Sequence, residues 1–168
     1  GKSPLPTGTA VLTYQTDWRK FAISDCGCGM LLLKSKCGIA DFSLSKWNSV
    51  ANQLRAQKGM LGDLGGGNHF LDALLSYSED TIYFLIHTGS RDESGLVDRY
   101  IDNSIAFDQE FDRIVEWAKN NRATIQKNLE SEFGPLEVVL DMPHNTYEKT
   151  DDGGVIIRKG AVKILPGE

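Results

Sequence analysis

The stretch TIYFLIH, residues 81–87, decides the fold, because it is a near-continuous run of apolar and β-forming residues. Such a run predicts a strand buried in the middle of a sheet. It ends on His87, which is followed by the small residues and the arginine of TGSR, residues 88–91. Functional side chains collect at strand ends, where the scaffold is rigid and the loops stay open. His87 is therefore the first candidate site residue.

The segments around this strand predict an α+β fold, with strands early and late in the chain and helices in the middle. Apolar and β-branched residues predict further strands at 8–14, 20–24, 30–34 and 136–142, and two strands joined near Lys159-Gly160 within 153–165. Helical spacing predicts a helix within 42–59, capped by Ser43 or Ser45 and ended by Gly59. Residues 94–132 are predicted to form two helices, with a core face of Ile105, Phe107, Phe111, Ile114, Val115 and Trp117.

The composition predicts one globular domain, residues 1–168, because hydrophobic residues make up 40% and charged residues 24% of the chain. A net charge of −5 argues against non-specific nucleic-acid binding by the whole surface, although local basic patches can still bind phosphate. The sequence has no apolar run long enough to span a membrane, and the stretch GKSPLPTG, residues 1–8, lacks the apolar core that a signal peptide needs. Cys26, Cys28 and Cys37 are odd in number, which favours free thiols and a cytoplasmic location.

The three histidines His69, His87 and His144 each lie between an apolar stretch and a Gly- or Asn-rich one. A single histidine at a strand end is more often a structural residue than a ligand, but all three share this setting. With Asp25 and Cys28 in SDCGCGM they form a plausible donor set for one or two divalent transition metals. From the residues alone zinc is the first choice, because such donors bind zinc more tightly than manganese.

The glycines of DLGGGNHFLD, residues 63–72, indicate that something comes close to the backbone there. Their N–H groups could hold an anion, with His69 beside it. The stretch is neither a P-loop, which would need Lys and Ser/Thr at Asn68 and His69, nor a dinucleotide fingerprint, which would need a small residue at Phe70. Arg91, four residues after His87, is suited to bidentate phosphate contact.

Five motifs together resemble the RtcB RNA ligases, which join RNA ends bearing a 2′,3′-cyclic phosphate or a 3′-phosphate to a 5′-hydroxyl. The family patterns D-x-G-C-G-M, G-x-L-G-x-G-N-H-F, H-S-G-S-R, H-N and R-K-G-A are matched, in order, by residues 25–30, 62–70, 87–91, 144–145 and 158–161. The resemblance implies an RtcB-like mixed-sheet core with flanking helices. It also implies roles in tRNA splicing or RNA repair, with tRNA-like or damaged RNA as the partner.

The resemblance implies two Mn²⁺ ions and GTP as cofactors. Asp25, Cys28 and His69 would hold one ion, and Cys28, His87 and His144 the other, so that the thiolate bridges them. Arg91 would hold an RNA phosphate. The guanylate would lie against Asn68, His69, Phe70, Leu71, Asp72, His144 and Asn145.

The chain departs from the family pattern at Cys26, Asp63 and Asp72, and its gap from Cys28 to Gly62 is short, which predicts a compact member. The family's guanylylated histidine lies in an H-G-A-G-R motif, and this sequence holds neither that motif nor a fourth histidine. We therefore expect a core that is incomplete at both ends, with no catalytic nucleophile of its own. The sequence does not predict an oligomeric state.

Two alternatives stay open beside the ligase. A reduced relative could hydrolyse phosphoesters with a metal-activated water. A non-catalytic module could instead hold a structural zinc ion or bind RNA ends.

Overall fold

The computed structural model describes residues 3–167, apart from the side chain of Asp92. Its strands and helices form two sheets flanked by helices, which confirms the predicted α+β class. The strands are β1 Thr9–Thr13, β2 Gly29–Lys34, β3 Phe70–Ser76, β4 Thr81–Thr88, β5 Glu137–Pro143, β6 Asn145–Lys149 and β7 Val155–Lys159. The α-helices are α1 Arg19–Ala22, α2 Leu44–Ala56 and α3 Ser104–Phe133, with 3-10 turns at Ile39–Asp41 and Arg91–Tyr100.

β4 is an inner strand of the larger sheet, as its sequence predicts. This sheet has four strands in the order β3-β4-β2-β5. The side chains of Ile82, Phe84 and Ile86 are fully buried on the face that packs against α2 and α3. All five strand pairings within residues 3–167 are antiparallel, so the expected mixture of strand directions is absent from the described sheets.

The register of this sheet brings four strand ends together. Gly29 at the start of β2 lies opposite both Thr88 at the end of β4 and Pro143 at the end of β5. Phe70 at the start of β3 lies opposite His87. A Cβ atom on Gly29 would lie 2.5 Å from the carbonyl oxygen of Met142, so only glycine allows β5 to approach this closely. One end of the sheet thus collects residues from four separate segments.

The second sheet has three strands in the order β1-β7-β6. His144 is the only residue between β5 of the larger sheet and β6 of the smaller one. The smaller sheet packs on α1 and on the first half of α3, through a second core that contains Trp18, Phe107 and Ile157. The two sheets therefore meet at His144.

Several predicted elements are wrong. Residues 20–24 are not a strand: Arg19–Ala22 form a short helix, because Trp18 and Ala22, four residues apart, both bury their side chains in the second core. Residues 104–133 form one helix of 30 residues, and the expected first helix is a 3-10 segment, Arg91–Tyr100.

The predicted burial is also wrong at two elements. Ile105 is 70% exposed and lies off the buried stripe that contains Phe107, Phe111 and Ile114. β5 is an edge strand rather than a buried one, with Val138 49% exposed. β7 pairs with β1 and β6 and not with residues 161–164, which are not assigned to a strand. β3 and β6 were not predicted from the sequence.

The predicted cap of α2 is confirmed at Ser43. Its hydroxyl accepts a hydrogen bond from the N–H of Lys46 at 3.3 Å, as an N-cap residue does. The α-helix ends at Ala56, before Gly59.

Candidate metal centre

Three of the predicted ligands converge at the collected strand ends. Sγ of Cys28 lies 3.1 Å from Nε2 of His87, which in turn lies 3.2 Å from Nε2 of His144. These three donor atoms all lie within 4.8 Å of one another. Cys28 precedes β2, His87 lies in β4 and His144 follows β5, so the sheet register places them together.

The orientation of His87 leaves a lone pair directed at the other two donors. Its Nδ1 lies 2.8 Å from the backbone carbonyl of Asn68, which can only accept a hydrogen bond. Nδ1 therefore carries the proton in neutral His87, and Nε2 is the free nitrogen beside Cys28 and His144. Metal-binding histidines in proteins are commonly fixed in this way, by a partner on the second nitrogen.

The backbone of His144 is fixed from both sides of the junction between the sheets. Its N–H donates to the carbonyl of Cys28 at 2.8 Å, and its own carbonyl accepts from the N–H of Ala161 at 3.1 Å. Burial lowers the pKa of His144 to about 4, and positive charge on His87, Arg122 and Lys159 acts in the same direction. The imidazole is thus neutral near pH 7 and able to bind a metal.

Cys28 binds a metal only as a thiolate. Burial and the charge of Asp25 raise the pKa of the Cys28 thiol to about 11 in the metal-free protein. Binding of a cation would therefore release a proton from Cys28.

The spacing of the three donors fits one transition-metal ion. Sulfur and nitrogen ligands at about 2.3 and about 2.1 Å from a tetrahedral ion lie about 3.3 to 3.6 Å from one another. The two contacts of His87, at 3.1 and 3.2 Å, are a few tenths of an ångström shorter than these separations, so a small outward movement of the donors would accommodate the ion. Three protein donors leave a coordination position open, which is the arrangement of catalytic rather than structural metal sites.

His69 lies near the same thiol but is held differently. Its Nε2 lies 3.7 Å from Sγ of Cys28, and its Nδ1 lies 3.3 Å from Nη1 of Arg91. A guanidinium can only donate, so this contact assigns the proton of neutral His69 to Nε2. Burial lowers the pKa of His69, with the charges of His87 and Arg91 contributing. His69 would need to exchange its contact with Arg91 to bind a metal through Nε2.

Arg91 is fixed by Asp63 rather than left free for an anion. Its Nε donates to the Asp63 carboxylate at 3.1 Å, and that carboxylate also accepts from the N–H groups of Gly59 and Gly65. Burial opposes the charge of Asp63, but these hydrogen bonds outweigh it and lower the pKa. The N–H of Gly65 is therefore already used, and the predicted anion-binding role of this loop could involve only its remaining N–H groups.

Close packing explains why a glycine is needed at position 65, one of the three consecutive glycines 65–67. A Cβ atom on Gly65 would lie 2.1 Å from Nη1 of Arg91 and 2.6 Å from Nδ1 of His69, and the φ angle of Gly65 is +91°. Around Gly66, by contrast, a Cβ atom would meet no atom within 4 Å. The close neighbour of this loop is thus the Arg91 side chain.

Asp25 lies at the rim of the site. Its side chain is 71% exposed and its carboxylate lies 3.4 Å from Nζ of Lys159, although it lines the same two small cavities as Cys28 and His69. Nζ of Lys159 also donates to the Ser24 carbonyl at 2.5 Å. Lys159 belongs to a motif noted in the sequence, but its contact with this loop was not predicted.

The residues predicted to contact GTP do not all line one cavity. Asn68, His69, His144 and Asn145 line one cavity beside Cys28. The amide of Asn145 is already bonded to the Asp25 carbonyl at 3.0 Å and to the N–H of Gly160 at 2.8 Å. Leu71 lines a separate cavity, Phe70 lies beside His87, and Asp72 is exposed.

Two buried polar residues of α3 support the site and were not predicted. Arg122, 1% exposed, donates to the Asp141 carboxylate at 2.6 Å and to the carbonyls of Gly27 and Thr88, the neighbours of Cys28 and His87. The side chain of Asn121 likewise accepts a hydrogen bond from the N–H of Gly62 and donates one to the carbonyl of Asp63. The signal in the sequence is that Arg122 falls within the apolar stripe Ala118, Ile125 and Leu129.

Comparison with curated proteins finds a distant similarity to an RNA ligase. No protein-family model matches the chain. The curated RNA-splicing ligase RtcB2 of Escherichia coli is 25% identical over an alignment of 217 residues, which covers 96% of this chain and 57% of the relative. The chain therefore spans a little over half the length of that ligase. Within residues 3–167, no helix is both long and apolar enough to cross a membrane.

Proposed function

We propose that this chain is the metal-binding core of an RNA ligase of the RtcB type. Such a ligase uses GTP and Mn²⁺ to join RNA ends bearing a 2′,3′-cyclic phosphate or a 3′-phosphate to 5′-hydroxyl ends. The observation that carries the proposal is the convergence of Cys28, His87 and His144 at one sheet end. The similarity to RNA-splicing ligase RtcB2 supports the choice of RNA as the partner.

The arrangement around Cys28 supports a second ion as well. Nε2 of His69 also lies near the thiol, at 3.7 Å, and Asp25 lines the same cavities as His69. When bound, the two ions would neutralise charge on the phosphates and on the leaving group. Cys28, His87 and His144 would hold one ion, and Asp25, Cys28 and His69 the other. Arg91, beside His69, would contact an RNA phosphate after exchanging one of its present partners.

Metal analysis tests the proposed ligands. Protein dialysed against Mn²⁺ is expected to hold two ions per chain, and Cys28→Ala is expected to lower the content at both positions. Cys37→Ala is the matched control, since Cys37 lies outside the site and should leave the stoichiometry unchanged. Equal metal content in all three proteins would overturn the ligand assignment.

Binding of RNA ends tests the function itself. We expect the full chain to bind a short single-stranded RNA with a 3′-phosphate more tightly than the same RNA with a 3′-hydroxyl. This preference should disappear in EDTA, because the metal centre would recognise the phosphate. A preference that is absent, or that survives EDTA and Cys28→Ala, would contradict the proposal.

A metal-dependent phosphoesterase is the second candidate function. It is favoured by the fact that all three histidines of the sequence lie at the metal centre, which leaves none as a separate nucleophile. Incubation with radiolabelled GTP is expected to give no covalent GMP adduct on this chain. Release of phosphate from a 3′-phosphorylated RNA without GTP would identify the phosphoesterase, and one tightly held zinc ion without either activity would identify a structural module.

A further inference from the structure

A large cavity lies outside the metal centre. It has a volume of about 820 Å³, within the range of small-molecule sites, and lies between α2 and the start of β3. The lining residues that matter here are Trp47, Leu54, Arg55, Lys58, Leu71 and Arg91.

One wall of the cavity is apolar and contains a fixed aromatic ring. The indole of Trp47 stacks on the ring of Phe84, with 5.8 Å between centroids and 12° between planes. Leu54 and Leu71 contribute further apolar surface. A fixed aromatic side chain of this kind is what single-strand-binding proteins use to stack nucleobases.

The other wall is cationic, and its positive charge is not fully balanced by acidic side chains of the described residues. Among the described side chains, neither Arg55 nor Lys58 has a carboxylate within ion-pair distance, and both are exposed. The one acidic lining residue, Asp63, is already bound to Arg91 and to two backbone N–H groups. A basic residue near the C-terminus of a helix interacts favourably with the helix dipole, which explains the position of Arg55. It does not explain why Lys58 and Arg91 line the same cavity. The charge in this cavity therefore suits an anionic ligand.

The cavity and the metal centre share Arg91. This residue lines both the large cavity and the small one that contains Cys28 and His69. Its Nη1 lies 3.3 Å from Nδ1 of His69. A chain-like anion in the large cavity would pass Arg91 to reach the metal ligands.

We propose that this cavity binds a nucleotide of the single-stranded RNA whose end lies at the metal centre. The base packs on Trp47 and Leu71, and the flanking phosphates contact Arg55 and Lys58. The choice of RNA rests on the proposed function, whereas the cavity's preference for an aromatic anion rests on its own residues. A free nucleotide has the same chemistry, so the experiment separates the two.

The test measures binding of a fluorescein-labelled ten-nucleotide RNA to the full chain by anisotropy at several salt concentrations. Arg55→Ala with Lys58→Ala is expected to weaken binding about tenfold or more, and to reduce the slope of log affinity against log salt by about 1.4 for two lost contacts. Lys46→Ala with Lys119→Ala is the matched control, since both lysines are exposed and the net charge changes equally. It should alter binding only slightly.

Crosslinking tests the stacking without relying on a core substitution. An RNA containing 5-iodouridine is expected to crosslink to Trp47, identified by mass spectrometry, and not to Trp117, which lies on α3 outside the cavity lining. Trp47→Leu is expected to weaken RNA binding about fivefold or more, with circular dichroism checking that the variant folds.

The outcomes separate this inference from the proposed function. If the chain distinguishes 3′-phosphate from 3′-hydroxyl RNA but the Arg55/Lys58 variant binds like its control, only the cavity assignment is overturned. If GMP binding is lost in that variant while its RNA binding stays equal to that of the control, the occupant is a free nucleotide and the RNA assignment is overturned. If the wild-type chain binds no RNA, both proposals are overturned.

Discussion

The two groups of candidate ligands around Cys28 differ in how firmly the fold holds them. In the first group, which we call the firm side, His87 is 7% exposed and its second nitrogen is fixed by the Asn68 carbonyl. In the second group, which we call the weak side, the side chain of Asp25 is 71% exposed, and His69 is bonded to Arg91 rather than free. Metal affinity depends on such preorganisation. The comparison therefore predicts one tight position and one weak position around a shared thiolate.

The largest effect on stability is expected from replacing Arg122, which supports the backbone beside Cys28 and His87 on the firm side. Arg122→Leu leaves the Asp141 carboxylate partly buried without its cation and two backbone carbonyls without a donor, so the free energy of unfolding should fall by about 3–5 kcal/mol. Urea denaturation measures this change. Arg113→Leu on the same helix is the control, because Arg113 is 44% exposed, and it should cost about 1 kcal/mol or less. Equal losses in both variants would contradict the supporting role of Arg122.

The next effect concerns the histidines themselves. His87→Ala should weaken the tight metal position about 100-fold, because it removes a preorganised donor. His69→Ala should leave that position intact and lower only the occupancy of the second ion. Calorimetric titration with Mn²⁺ and Zn²⁺ distinguishes the two positions. Identical titration curves for the two variants would show that the two sides do not differ.

A smaller effect is expected in the glycine loop on the weak side. Gly65→Ala should lower the free energy of unfolding by about 1–3 kcal/mol, because its Cβ would collide with Arg91 and its φ angle is positive. Gly66→Ala is the matched control, since its Cβ meets open space, and thermal unfolding should show almost no loss. A control as unstable as Gly65→Ala would point to a general need for flexibility rather than to packing against Arg91.

The smallest effect is a pH dependence on the same side. The pKa of Asp63 is lowered in the folded state, so its contribution to stability is present above the usual carboxyl pKa of about 4 and is lost as pH falls through the lower folded value. Asp63→Asn should therefore be less stable than wild type by about 1–2 kcal/mol at pH 7. The difference should persist at pH 5 and shrink below about pH 4. A difference that is constant from pH 7 to pH 2, measured by urea denaturation, would contradict the assignment.

Local pattern predicted the buried parts of the fold well and the edges poorly. The run at 81–87 and the Ser43 cap carry their own signals in the sequence, and both are confirmed. β3 was missed because FLDALLS does not alternate, which is permitted on an edge strand. The fate of residues 20–24 was decided by the packing of Trp18 and Ala22 against Phe107, a contact distant in sequence.

The candidate site was accessible to sequence reasoning only at the level of residue types. Three histidines and a cysteine at strand ends predicted a shared centre, and the antiparallel register brings Cys28, His87 and His144 together. The bond between His69 and Arg91 depends on the loop conformation around Gly65, which residue types do not specify. The supporting role of Arg122 could not be predicted, because the sequence does not show that α3 is the helix that packs on the sheet beside Cys28 and His87.

The position of His144 gives the metal centre a mechanical consequence. This residue alone connects β5 of the larger sheet to β6 of the smaller one, and its backbone is bonded to Cys28 and Ala161. An ion bound to His144, Cys28 and His87 would crosslink the larger sheet to the junction with the smaller sheet. Because such an ion binds only the native arrangement, its binding would stabilise the packing of the two sheets against each other. A change in the angle between the sheets would, in turn, change the affinity for the ion.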